Sequence, residues 1–148
     1  MLLTALAVGV CLVLPNNATV IDSFRAPACE RCAGNRGLEL AVSEGSDVVA
    51  GLRGTVSFAG AVGGRNYVVV RSLVNTEVRV TYGGLAATSV QRGDVVARGD
   101  RIGVAQTTMH LGVRIGEQYV DPVHMTGVAV RPRYRIALGA RPQRSCLG

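Results

Sequence analysis

The sequence contains one short motif with recognisable chemistry, the Cys-x-x-Cys spacing of Cys29 and Cys32. This spacing is typical of a redox pair, of half a zinc site or of a small structural disulfide. A redox pair is expected between a strand and a helix, whereas Pro27 and Gly34 predict loop on both sides of this one. We therefore favour a structural disulfide, with Cys146 as a further candidate for pairing.

The basic residues exclude one class of reactions. All sixteen are arginines, because the sequence contains no lysine, and the formal net charge is +6. Reactions that need a lysine amine, such as Schiff-base formation or the attachment of lipoate to a carrier domain, are excluded. The positive charge favours an anionic partner. Nucleic acid is not expected, because aromatic residues for base stacking are few and no recognised nucleic-acid motif is present.

The elements that must position any site are short runs of strand-forming residues separated by turn residues. Strands are predicted over residues 38–42, 47–50, 55–61, 67–72 and 77–82, with a hairpin formed by 111–115 and 118–120. Gly63 and Gly64 are predicted to form the tight turn of another hairpin. A partial repeat, 47–51 returning as 94–99, implies two similar β-turn-β units. The fold class predicted from these patterns is all-β, built from short antiparallel strands.

The chain divides into four segments. Residues 1–18 are signal-like or an anchor, 19–33 are a lead-in loop with the cysteine pair, 34–125 are the ordered domain, and 126–148 are a basic tail that contains proline. The apolar run at the start is too short to span a bilayer comfortably. It is typical of an export signal or an uncleaved membrane anchor, and a buried first strand or helix is the alternative.

Four stretches of the ordered domain resemble the lysostaphin/LytM-type cell-wall zinc peptidases. They are Gly34-Asn35-Arg36-Gly37-Leu38-Glu39-Leu40, the segment 48–60, Tyr82-Gly83-Gly84-Leu85, and Thr108-Met109-His110-Leu111-Gly112 followed by Tyr119-Val120-Asp121-Pro122. The resemblance covers about residues 34–122. It implies a LytM-type sandwich barrel with a duplicated hybrid motif.

The same resemblance implies a degenerate active site. In that family two histidines and one aspartate hold zinc, and the matching positions here are Asn35, Glu39 and His110. An amide is a weak zinc ligand, so only Glu39 and His110 remain where three protein ligands are usual. Two further family histidines, which orient water and stabilise the oxyanion, correspond to Gly84 and Thr108. No catalytic residue is therefore expected.

The function implied by the resemblance is that of an exported cell-envelope domain without a cofactor. It would bind peptidoglycan or a cell-wall hydrolase through a groove lined by Asn35, Glu39, Tyr82, Gly84, Thr108 and His110. Two alternatives stay open. One is an active zinc metalloendopeptidase that cleaves peptidoglycan cross-links with an altered ligand set including Glu39 and His110. The other is a structural module for envelope assembly.

Overall fold

A computed structural model describes residues 10–15 and 18–126, which form two antiparallel sheets. The strands of these residues are β1 (Thr19–Asp22), β2 (Gly37–Ala41), β3 (Asp47–Val49), β4 (Gly54–Val62), β5 (Arg65–Ser72), β6 (Val78–Leu85), β7 (Ala87–Thr88), β8 (Val95–Val96), β9 (Arg101–Val104), β10 (Thr108–Ile115) and β11 (Gln118–Val120). A short 3-10 helix follows at Pro122–Met125. The prediction of an all-β fold of short antiparallel strands is confirmed.

The larger sheet has the order β1-β2-β10-β6-β5-β4-β8, and β11 also pairs with β10. The smaller sheet has the order β3-β9-β7. Apolar residues of both sheets, such as Val80 and Leu111 in the larger and Val48 and Ile102 in the smaller, belong to one buried cluster. Because side chains alternate across a strand, the polar residues between them face outward.

The turn between β4 and β5 has the predicted form. Val62 and Arg65 are paired, so Gly63 and Gly64 alone make the loop. Both adopt positive φ, 59° and 79°, as a two-residue turn matched to the twist of its strands requires. The prediction of a tight turn at these glycines is confirmed.

Parts of the two predicted N-terminal segments pack against the domain. Leu12, assigned to the signal-like segment, is fully buried, and its N–H donates to the carbonyl of Met125 at 2.7 Å. Leu12 is therefore part of the hydrophobic core. Strand β1 lies within the predicted lead-in loop, where Val20 and Ile21 supply strand-forming side chains.

The described residues do not include 1–9, 16–17 or the predicted tail from 127 onward. Among the residues that are described, no helix has both the length and the apolar character needed to cross a membrane.

The cysteine pair forms a local disulfide between Cys29 and Cys32. The predicted structural disulfide is confirmed for these two residues, and Cys11 is disulfide-bonded as well. The candidate Cys146 falls outside the described residues. The disulfide loop also contacts the domain, because the Arg36 guanidinium donates to the carbonyl of Glu30.

Tyr82 joins the N-terminal segment to the larger sheet. Its side chain is fully buried, and its hydroxyl accepts a hydrogen bond of 2.8 Å from the N–H of Gly51. The carbonyl of Gly51 in turn accepts from the N–H of Val13. A side chain at Gly51 would collide with the Val13 carbonyl and with Leu12, so only glycine fits at this crossing.

We predict that Tyr82→Phe lowers the free energy of unfolding by about 1–3 kcal/mol, because the buried N–H of Gly51 loses its acceptor. Urea denaturation at pH 7 measures this change. Tyr119→Phe is the control, since Tyr119 is partly exposed. It should shift the free energy of unfolding by no more than about 0.5 kcal/mol. An unchanged unfolding midpoint for Tyr82→Phe would contradict the assigned bond.

Tyr82 also makes the stability of the fold depend on pH in the alkaline range. Burial raises the pKa of Tyr82 to about 12, against the opposing hydrogen bond from Gly51. The contribution of Tyr82 to stability is fully present below about pH 10, where its phenol is protonated in the unfolded chain as well. Between pH 10 and 12 the unfolded chain binds fewer protons, so stability falls by about 1.4 kcal/mol per pH unit. Urea titrations across this window should give a shallower decline for Tyr82→Phe, and identical slopes would refute the assignment.

Candidate functional site

The centre of the site is a contact between Glu39 on β2 and His110 on β10. The antiparallel register places these two residues directly opposite each other. Their neighbours Leu38, Leu40 and Met109 are buried, so alternation turns Glu39 and His110 to the outer face. Nδ1 of His110 lies 2.5 Å from Oε1 of Glu39, and both side chains remain partly exposed, at 28% and 39%.

The imidazole of His110 lies against two glycines. A Cβ at Gly37 would stand 2.8 Å from both Cε1 and Nε2 of the ring, and a Cβ at Gly112 would stand 3.2 Å from Nε2. Because an ionised carboxylate only accepts hydrogen bonds, Nδ1 carries the hydrogen in the contact with Glu39. The two glycines therefore leave the space that the ring occupies, and Glu39 determines its orientation.

Asn35 was predicted to line the groove, and the structure places its side chain elsewhere. Its amide nitrogen donates to the carbonyl of Ser23 at 3.0 Å, and its amide oxygen accepts from the N–H of Gly37 at 3.2 Å. The residue is buried, with 7% exposure. Both ends of the amide are thus used to attach the segment after β1 to the start of β2.

Tyr82 was also predicted to line the groove, and this prediction is corrected. Its position in β6 faces the core together with Val78 and Val80, and none of the three has measurable exposure. The neighbouring Gly83 faces the groove instead, where the Tyr67 ring lies over it.

Gly84 and Thr108 do line the groove, as predicted, beside Glu39 and His110. Gly84 adopts φ of 74°, a conformation that side-chain-bearing residues rarely take. Neither residue has a group that exchanges protons at neutral pH. The structure thus brings together four of the six predicted residues: Glu39, Gly84, Thr108 and His110.

The groove itself has a volume of about 380 Å³, and much of its lining was not predicted. The additional polar and aromatic residues are Arg36, Arg65, Tyr67, Thr81, Gln106, Arg114 and Tyr119. The guanidinium groups of Arg36 and Arg114 lie 5.8 and 5.1 Å from the centre of the Tyr119 ring, within the range of cation–π contacts. The sequence contained one signal for Arg114 and Thr81. By strand alternation, both lie at outward-facing positions, Arg114 on β10 and Thr81 on β6.

Among the described residues, the donor groups of the site do not make up the three-ligand set of a catalytic zinc ion. Such an ion needs three protein ligands and an open position. Within residues 10–15 and 18–126 no three His, Cys, Asp or Glu side chains are grouped closely enough to hold a metal. Glu39 and His110 bond to each other, and the side chain of Asn35 is engaged with the backbone. Cys29 and Cys32 are oxidised to a disulfide and supply no thiolate.

Comparison with known proteins agrees with the resemblance seen in the sequence. Residues 33–122 match Peptidase family M23. A Haemophilus influenzae protein described as an uncharacterized metalloprotease is 31% identical over 110 residues, which cover 73% of this chain and 22% of that protein. The chain therefore spans about a fifth of that relative's length.

Several solved structures share the fold. Helicobacter pylori Csd3 aligns with a TM-score of 0.69 and 22% identity, covering 82% of this chain and 34% of Csd3. The catalytic domain of lysostaphin from Staphylococcus simulans aligns with a TM-score of 0.63 and 19% identity, covering 74% of this chain and 92% of that domain. The family match extends over more than half of the sequence, and this chain therefore belongs to peptidase family M23.

Proposed function

We propose that this domain acts in the cell envelope by binding peptidoglycan peptides in its groove without hydrolysing them. The observation that carries the proposal is the direct contact between Glu39 and His110. By the sequence resemblance these residues match two of the family's zinc ligands, and here they bond to each other across β2 and β10. An exported location is part of the proposal, since peptidoglycan lies outside the cytoplasm.

The absence of hydrolysis is supported by the residues around that pair. Peptide hydrolysis by this family's chemistry needs a polarised water, a proton acceptor and groups that stabilise the oxyanion. Gly84 and Thr108 line the relevant part of the groove and offer no imidazole. Loss of each kind of support typically lowers the rate by about two orders of magnitude.

Binding is supported by the shape and lining of the groove. Its volume falls within the range of about 300–1,000 Å³ that is usual for ligand sites. Gly84 leaves part of its floor open, because a Cβ there would meet no atom closer than 3.9 Å, while Thr81 and Gln106 offer groups that hydrogen-bond to peptide amides. A peptide backbone needs such partners, because buried amides without hydrogen bonds are costly.

The test is binding of the purified full chain to a synthetic muropeptide, measured by isothermal titration calorimetry. We predict that Thr108→Trp weakens binding at least about tenfold, which corresponds to about 1.4 kcal/mol, because an indole on this exposed strand position fills the groove. Thr76→Trp, in the exposed turn between β5 and β6, is the matched control and should bind as the unchanged protein does.

Incubation of the same chain with the muropeptide and with cross-linked sacculi should release no new amino groups. Saturable binding that Thr108→Trp weakens supports the proposal. Equal binding by both tryptophan variants, or release of amino groups that stops in His110→Ala, would overturn it.

A further inference from the structure

Three arginines stand side by side on the outer face of the larger sheet. Arg71 on β5 is directly opposite Arg79 on β6, and Arg79 is directly opposite Arg114 on β10. Their neighbours along each strand, such as Val70, Val80 and Val113, are buried, so all three arginines face outward. We call Arg71, Arg79 and Arg114 the arginine row.

The arginine row continues the groove. Along β10, His110, Gly112 and Arg114 are successive outward positions, and Gly83, Thr81 and Arg79 match them on β6. Arg114 follows His110 by four positions along the strand, a distance of about 13 Å. Gly112 has no side chain and Thr81 has a short one, and both line the groove between His110 and Arg114.

The positive charge of the arginine row is largely not neutralised by acidic side chains of the described residues. No hydrogen bond or ion pair joins Arg71 or Arg79 to a side chain among the described residues. Arg114 contacts Glu117, but that carboxylate is 96% exposed, and exposed pairs of this kind contribute little. Like charges directly opposite each other in adjacent strands destabilise a sheet. The packing of the fold therefore gives no reason for three arginines at these positions.

One member of the row is held in place. The guanidinium of Arg114 lies over the Tyr119 ring, and that of Arg36 contacts the same ring. Tyr119 and Arg114 are also cross-strand partners in the β10–β11 hairpin. A guanidinium fixed in this way loses less conformational freedom when it binds the two oxygens of a carboxylate.

We propose that the arginine row binds the free carboxylates of the peptide that lies in the groove, so that the domain selects unamidated, acidic stem peptides. This inference rests on the proposed function, which supplies the peptide. Phosphate groups of an anionic wall polymer share the chemistry that arginine recognises. The carboxylate is favoured because the row lies in line with a groove suited to peptide amides.

The experiment compares two synthetic muropeptides of identical stem sequence, one with free carboxylates and one with these groups amidated, by titration calorimetry against the full chain. We expect the free form to bind about tenfold more tightly, as charge-assisted hydrogen bonds to one or two arginines would give. Added salt should reduce the difference, because exposed charges are screened.

Arg79→Thr should abolish the preference and leave the affinity for the amidated form unchanged. It should also raise the melting temperature, since the central repulsion of the row is removed and threonine suits a strand. Arg71→Thr is a second variant, expected to reduce the preference in part. The control is Arg101→Thr on β9 in the smaller sheet, which removes the same charge and should leave the preference intact.

The outcomes distinguish failure of this inference from failure of the proposed function. Equal binding of both muropeptides, unaffected by Arg79→Thr, overturns the inference and leaves groove binding standing. Binding of neither muropeptide overturns the proposed function. A third arm tests binding of lipoteichoic acid alone. Tight binding that is lost in Arg79→Thr, together with equal binding of the two muropeptides, would assign the row to phosphate. That result would overturn the carboxylate assignment.

Discussion

The pairing of β10 with β2 on one side and β6 on the other is the constraint on which the site depends. This register places Glu39 opposite His110 and His110 opposite Gly83. A slip of one residue would send His110 into the core and bring Met109 to the surface. Burial of Met109 and Leu111 fixes the register, so the hydrophobic core determines which polar groups meet in the groove.

The polar groups that the sequence resemblance matched to zinc ligands make hydrogen bonds within the fold of this chain. The amide of Asn35 bonds to the backbone at Ser23 and Gly37, and thereby attaches the segment after β1 to β2. Glu39 and His110 bond across two strands and orient each other. These hydrogen bonds lower the cost of placing polar groups in a partly buried site.

Much of the fold followed from local patterns, because alternation and turn glycines are short-range signals. Tyr82 was misplaced because a motif match fixes a position along the chain and leaves the direction of the side chain undecided. The alternation of Val78, Val80 and Tyr82 did contain that direction. Leu12 was ambiguous for a different reason, since an export signal and a buried segment have the same apolar composition. The arginine row was not predictable, because it requires the register of β10 against β6, a strand far from it in the sequence, together with that of β5 against β6.

The central claim is that the M23 groove of this chain works without a bound zinc ion. Its most direct test is the zinc content of the full chain, purified with zinc present, dialysed without chelator and measured by elemental analysis beside a His110→Ala control. The account predicts far less than one zinc per chain, and no difference between the two proteins. Near-equimolar zinc that disappears in His110→Ala would contradict it and would return the domain to the catalytic members of its family.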